Sequence, residues 1–370
     1  MNIRHIFALA IKEFLALLRD SRSRLVIIAP PIMQLIVFGF AATFDLNNVP
    51  IAVYNQDKGQ ISRDLISKFE GSPNFKIIQY IDNENEIKPL IDNRDTLFVL
   101  AIGSDFSADL LNGDKTTLQA IFDGRNSNTA MIAMNYLQTI LLDFNQVWLK
   151  KQGQSSQKVM LEIRNWHNEN LQSQWFIIPG LVGLITLVVT LLVTALSVAR
   201  EREAGTFDQL LVTPLQPSEI LLGKAIPGII IGLFEASIII LLAVLVFDIP
   251  LRGNIGALYL GLILFILSAT GVGLMISSIA LTQQQAILGA FLFLVPAVIL
   301  SGFSTPIANM PEVLQWLTML DPLRYFLVIV RGVFLEGDSF LILLNQYWPM
   351  ALISIATLSF AGWLFRHRMY

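Results

Sequence analysis

Between Arg252 and Glu312 lie 59 consecutive residues without a charged side chain. One bilayer-crossing helix needs about 20 mostly apolar residues, so this run is too long for a single crossing. Gln283-Gln284-Gln285 breaks it into two candidate spans, 254–280 and 286–303. Four other stretches qualify: 25–44, 175–199, 225–247 (interrupted by Glu235) and 339–365, ended by Arg366. The sequence therefore predicts a polytopic α-helical membrane protein with six transmembrane helices.

The charge that these spans lack is concentrated elsewhere. Residues 45–174 hold 28 of the 53 charged side chains, while the other 240 residues share 25. That contrast predicts one water-soluble domain inserted between the first and second spans. Its side of the membrane follows from Lys and Arg in the short loops. Arg4, Lys12, Arg19, Arg22, Arg24, Arg200, Arg202, Lys224, Arg366 and Arg368 all fall on one side of a six-span arrangement, against Arg252, Arg324 and Arg331 on the other. Both termini are expected in the cytoplasm and the inserted domain outside. A first apolar core of 20 residues exceeds the 7–15 of a cleaved signal, so the first span is expected to stay.

Before that span, Ile3, Ile6, Phe7, Ala10, Ile11, Phe14, Leu15 and Leu18 recur at helical spacing with Arg4, Lys12, Glu13 and Arg19 between them. Residues 1–24 read as a cytoplasmic amphipathic helix lying in the membrane interface, its apolar face toward lipid. In the inserted domain, strand patterns at 49–54, 75–81, 96–102 and 116–122 alternate with helical patterns at 61–69, 83–93 and 104–111, with Ser104 as an N-cap. Such alternation predicts an α/β domain. A helix from Ser127 and another candidate at 155–171 lead to the second span.

Several chemistries fall away. The chain has no cysteine and only His5, His167 and His367, which rules out thiolate sites and argues against a histidine metal site. A net charge of −3 without a basic stripe excludes nucleic acid as a partner. The one Gly-Lys pair, Gly223-Lys224, is followed by Ala225 and is not a phosphate-binding loop. No cofactor is expected in this chain, and it is expected not to be an enzyme. Asp105, Asp109 and Asp114 read as a solvated helix face.

The loop at 200–224 runs Arg-Glu-Arg-Glu-Ala-Gly-Thr-Phe from Arg200 to Phe207, and Leu210, Leu211 and Pro214 follow. Gly205-Thr206 reads as a helix break. Phe207, Leu210 and Leu211 then share one side of a short turn stopped by Pro214, an apolar stub suited to a groove on a partner. A second motif series follows the fifth span: Ser301-Gly302-Phe303, Pro306-Ile307, Met310-Pro311, Pro322-x-x-Tyr325-Phe326 and Phe334-Leu335-Glu336-Gly337.

The Glu-x-Gly-Thr, Thr-Pro and Gly-Lys series, the outer motifs and the order of parts together resemble the permeases of type-2 ATP-binding-cassette exporters. The resemblance covers the whole chain. It implies a bacterial inner-membrane protein that moves an amphiphilic, drug-like or lipid-like substrate outward. It further implies cassette ATPase subunits as separate chains holding ATP and Mg, a second permease chain, and a periplasmic adaptor as an open question. By the same resemblance Glu201, Glu203, Gly205, Thr206, Phe207, Leu210, Leu211 and Pro214 contact the ATPase, and Phe303, Pro306, Tyr325 and Phe326 belong to an outer gate. The segment 304–338 is expected as re-entrant or interfacial helices at the outer mouth, with packing beneath the α/β domain as the alternative.

Glu235 is the one acid in the middle of a span. Desolvation makes an unpaired carboxylate there costly. It reads as an inter-helix hydrogen bond, a polar lining of the pathway, or a proton relay. The last would make the chain a proton-coupled secondary transporter.

Overall fold

The structure is a computed structural model that describes residues 2–19, 29, 31–37, 46–125, 127–151, 172–207, 209, 213 and 215–368. The chain divides into two compact units, Met1–Ala42 with Asn165–Tyr370, and Thr43–Arg164. Most of the first span expected at 25–44, and the helix expected at 155–171, lie outside the described residues.

The smaller unit is built on a four-stranded sheet. Its strands are β1 (Val49–Asn55), β2 (Phe75–Ile81), β3 (Phe98–Ile102) and β4 (Leu118–Phe122). Their order is β2-β1-β3-β4, with β1 parallel to β2 and β3, and β4 antiparallel to β3. After the amphipathic helix α1 (Ile3–Arg19), this unit supplies α2 (Gln60–Glu70), α3 (Ile87–Asp92), α4 (Phe106–Asn112) and α5 (Ser127–Lys151). Alternate residues of a strand face opposite sides. Accordingly Val49, Ile51 and Val53 pack with Leu65 and Phe69 of α2, Phe106 of α4 and Leu137 of α5, while Ala52 and Val99 pack with Ile87 of α3 on the other side. Phe75 meets Phe98 edge-on at 5.4 Å. Ser104 does not cap α4: Asp105 occupies the N-cap position, and Ser104 Oγ bonds its carboxylate instead.

Among the described residues the larger unit contains five helices long and apolar enough to cross a membrane. They are α6 (Ser173–Glu203), α7 (Pro217–Leu245), α8 (Ile255–Ile279), α9 (Gln283–Leu300) and α12 (Leu344–Arg368). Between α9 and α12, α10 (Glu312–Leu317) and α11 (Pro322–Arg331) belong to a pair of apolar segments bent by 82°, which makes six crossings if the pair is counted as one. At the start of this unit residues 31–36 are helical, and Leu35 is buried in its main core. Two helices outrun their hydropathy. α6 continues through Arg200–Glu203, and α7 begins at Pro217, ahead of Lys224. Charge there does not end the helix, because the charges find partners within the unit.

α8 lies at the centre, against α6, α7, α11 and α12. Small residues permit the close approach, as is usual for helices packed in membranes. A Cβ at Gly271 would overlap Thr357 of α12. Hydrogen bonds tie the same seams: Ser277 Oγ of α8 accepts from Val198 N of α6 at 2.9 Å, and Tyr347 Oη of α12 donates to Ala257 O at 2.9 Å.

Candidate functional site

At one end of the bundle, α1, α6 and α7 converge on Lys224. Its side chain is fully buried, with Nζ 2.6 Å from Glu201 Oε2 of α6 and 3.0 Å from Glu13 Oε1 of α1. Lys12 Nζ, half exposed, lies 2.7 Å from Glu201 Oε1 and 3.5 Å from Glu13 Oε1. Two cations thus meet two carboxylates, and the cluster is neutral. Burial would lower the Lys12 ammonium, but the hydrogen bond and charge of Glu201, helped by Glu13, outweigh it and hold it above its ordinary range. A buried pair of this kind tolerates both partners or neither, because removing one strands the other charge.

The N-terminal turn of α7 is fastened to α1 as well. Glu219 accepts from the Asn2 backbone N–H at 2.5 Å and lies 3.3 Å from His5 Nδ1, and it closes a capping box with Gln216. Leu9 of α1 sits directly over Gly223. The apolar stripe of α1 consequently splits. Ile6, Leu9, Ala10 and Leu17 face the bundle with Glu13, and Ile3, Phe7, Ile11, Leu15 and Leu18 face outward.

Beyond α6 the chain turns sharply. Gly205 has φ +67°, its N–H donates to Arg202 O, and the Thr206 N–H donates to Glu201 O, both at 3.0 Å. This is the Schellman arrangement that ends a helix with a left-handed glycine. Glu203, Gly205 and Thr206 are exposed at this corner. Glu203 Oε2 accepts from Gln283 N, the first residue of α9, at 2.7 Å.

Two expected contact residues point inward instead. Glu201 is committed to Lys224 and Lys12. Phe207 is buried at 6% exposure among Leu9, Val198, Ile220, Leu274 and Phe365, edge-on to the Phe365 ring at 6.1 Å, with the Arg202 guanidinium over the Phe207 ring at 5.0 Å from its centroid. The apolar stub expected to face a partner therefore has its first aromatic turned into the chain's own core, where burying the ring is favourable without a second protein. Leu210, Leu211 and Pro214 lie outside the described residues.

Glu235 is 8% exposed on α7, and neither carboxylate oxygen has a hydrogen-bond partner among the described residues. No inter-helix hydrogen bond of Glu235 is made among the described residues. Glu235 shares a stripe with Gly228 and Gly232, which abut Thr194 and Thr190 of α6. Thr186 and Thr190 Oγ1 are likewise buried without a partner among the described residues.

At the opposite end, Phe326 is fully buried and stacked on Phe265 of α8 at 4.6 Å. It is a core residue of α11, whose amphipathic face is inserted against α6 and α8. Phe303 packs on Gly180, Tyr325 Oη donates to Met319 O at 2.9 Å, and Pro306 is exposed. Asp321 caps α11 through Leu323 N at 3.0 Å. Arg331 stands 3.9 Å from the ring centroid of Phe176, a pairing that no spacing rule in the sequence suggests. Among the described residues no cluster of His, Asp or Glu could hold a metal ion.

These features have counterparts in known proteins. The profile of the family described as "ABC-2 family transporter protein" matches residues 23–364. The chain belongs to the ABC-2 transporter family. It is 40% identical over 358 residues to the "Probable multidrug ABC transporter permease YbhR" of Escherichia coli, covering 97% of each chain. It is 31% identical to the "Probable multidrug ABC transporter permease YbhS" of the same organism, over 91% of this chain and 90% of that one. A more distant relative is "ABC transporter G family member 23" of Dictyostelium discoideum, 26% identical over 80% of this chain and 43% of its own length. As an ABC-2 permease, the chain is the membrane subunit of an ABC transporter.

Proposed function

We propose that this permease exports an amphiphilic, drug-like or lipid-like substrate, driven by ATP hydrolysis in separate cassette subunits that engage the corner Glu203–Thr206. The observation that carries this reading is the contrast at the end of α6. The corner is exposed, while the residues on both sides of it, Glu201 and Phe207, are locked into α1, α7 and α12. A force applied at the corner would therefore be transmitted to several helices together. The names of the two Escherichia coli relatives support a multidrug substrate range.

In this reading α1 and the Lys224 cluster lie at the cytoplasmic surface of a bacterial inner membrane, both termini are cytoplasmic, and the α/β unit is extracytoplasmic. A second permease chain, the same or paralogous, would complete the pathway, and a periplasmic adaptor is a candidate partner of the α/β unit. The exposed apolar face of α9, carrying Leu288, Phe291, Leu292 and Val295, suits lipid or that second chain. The unpartnered polar seam of Glu235, Thr186 and Thr190 supports a lining role for Glu235.

The test is reconstitution with a cassette subunit. The permease alone should show no ATP hydrolysis, and Glu203→Ala with Thr206→Ala should weaken transport-coupled hydrolysis without loss of insertion. Cysteine labelling in this cysteine-free chain should reach Gln60→Cys from outside and Ala204→Cys from inside only. The reverse pattern overturns the orientation. Transport driven by a proton gradient without any ATPase would establish the secondary-transporter reading, which the unpartnered carboxylate of Glu235 favours.

A further inference from the structure

A trough of about 1100 Å³ opens where the first turns of α7 and the last turns of α8 and α12 meet. It is larger than the ~300–1,000 Å³ of ordinary small-molecule sites. Its lining runs from Gln216 to Ala225 on α7 and from His367 back to Leu358 on α12. At 1.5 Å per residue that is about 14 Å of depth, close to half of the ~30 Å hydrocarbon core. The depth therefore matches one leaflet.

The two ends of the trough differ in chemistry. The deep part is apolar, with Ala225, Leu274 and Leu358, and the indole of Trp363 stands nearer the mouth. The mouth carries Arg366 and His367, and among the described residues no Asp or Glu lines the trough. Arg366 is exposed and makes no ion pair or hydrogen bond among the described residues. His367 Nδ1 is engaged by Trp363 O at 2.9 Å, which leaves Nε2 directed elsewhere. The nearest acid in sequence, Glu219, is turned to Asn2 and His5. An apolar slot one leaflet deep under an uncompensated cationic mouth has the complementary form of a lipid with a negative headgroup.

We infer that this trough is a binding site for an anionic glycerophospholipid, its phosphate at Arg366 and His367 and an acyl chain along Trp363, Leu358 and Ala225. A soluble anion would leave the apolar depth empty, and a zwitterionic lipid would bring a cation to a mouth lined by no acid among the described residues. The site is defined by the lining of the trough alone. It rests on the proposed orientation only in placing the lipid in the inner leaflet.

The full-length protein in phosphatidylcholine bilayers, titrated with phosphatidylglycerol, provides the test. Lipids brominated on the acyl chain quench nearby indoles, and the Trp363 component is the difference between the wild-type chain and Trp363→Phe. Brominated phosphatidylglycerol should quench that component at a several-fold lower mole fraction than brominated phosphatidylcholine. Arg366→Gln with His367→Gln should erase the preference, and Arg366→Lys alone should retain it, which separates loss of charge from misfolding. Equal quenching by the two lipids in the wild-type chain, or a preference surviving in the double variant, overturns the site. Displacement of the brominated phosphatidylglycerol by inorganic phosphate also overturns it, in favour of a soluble-anion site. None of these readouts involves ATP hydrolysis or transport, so their failure leaves the permease reading untouched.

Discussion

Lys224 Nζ lies 2.6 Å from Glu201 Oε2, inside a bundle where the lysine side chain has no exposed surface. The pair joins the end of α6, just before the exposed corner, to the start of α7, and Glu13 brings in α1. The corner and the amphipathic helix are thereby parts of one mechanical unit, fastened by charge in a place where water does not screen it.

Removing the lysine should be costly. Lys224→Met leaves the two carboxylates with Lys12 as their one cation among the described residues, and the expected loss is about 3–5 kcal/mol of stability. Thermal unfolding of the purified chain reads it. Adding Glu13→Gln and Glu201→Gln should restore most of that loss, because a buried neutral set costs far less than an unpaired charge. If the triple variant were as unstable as Lys224→Met, the ion pairs would not be the fastening.

Gly205 makes a different demand. At φ +67° with open space around its Cα, it is limited by backbone conformation rather than by contact. Gly205→Asn should be tolerated, since asparagine visits the left-handed region, and Gly205→Ala should cost about 1–2 kcal/mol. Proline cannot adopt this φ and also deletes the N–H given to Arg202 O. ATP hydrolysis by the reconstituted complex should therefore fall in the order Asn, Ala, Pro, with membrane insertion unchanged.

For Glu235, stability and transport should part company. Replacing a buried polar group that has no partner among the described residues by an apolar one removes a desolvation penalty of about 1–3 kcal/mol. Glu235→Leu should raise the unfolding temperature and lose most transport, and Glu235→Gln should keep substantial transport, because an amide still offers polar atoms to the seam. Equal and complete loss in both variants, at normal expression, would point to proton coupling, since neither side chain titrates.

In the α/β unit the sensitive group is Asp57. Burial pushes its carboxyl up, but hydrogen bonds from Ser107 and Ser62 and from the Gly59 and Ser107 backbones outweigh this and hold it below its ordinary value. A depressed carboxylate contributes stability that is fully present above the unfolded value of ~3.9 and is lost as pH falls through the folded value. Ser107→Ala should move that loss to higher pH, and Asp57→Asn should remove it. Unfolding temperature followed as a function of pH distinguishes the three proteins.

How much of this was legible beforehand differs by element. Uncharged runs such as 253–311 declare membrane helices directly, because the hydrocarbon core excludes charge over a fixed thickness. The strands of the α/β unit were legible too, from apolar runs such as Phe98–Ile102 bounded by turn residues. Cysteine absence, the missing phosphate loop and the ABC-2 motif order needed no coordinates. These are properties of local composition and spacing, which a chain carries wherever it is folded.

Where each side chain points was decided only by tertiary packing. Phe207 was legible as an apolar residue in a loop, yet whether it faced a partner or Phe365, 158 residues later, depended on how α6 and α12 end together. Lys224 looked like the boundary of a span, and Glu13 like one polar residue in an amphipathic stripe. A lysine placed just before an apolar run was the one signal of their union, since such a charge must either reach water or be paired. The sequence by itself determined which segments leave water. The fold alone determined which of the remaining charges and rings meet, because those meetings join residues far apart in the chain, 211 positions for Glu13 and Lys224, whose approach no local rule encodes.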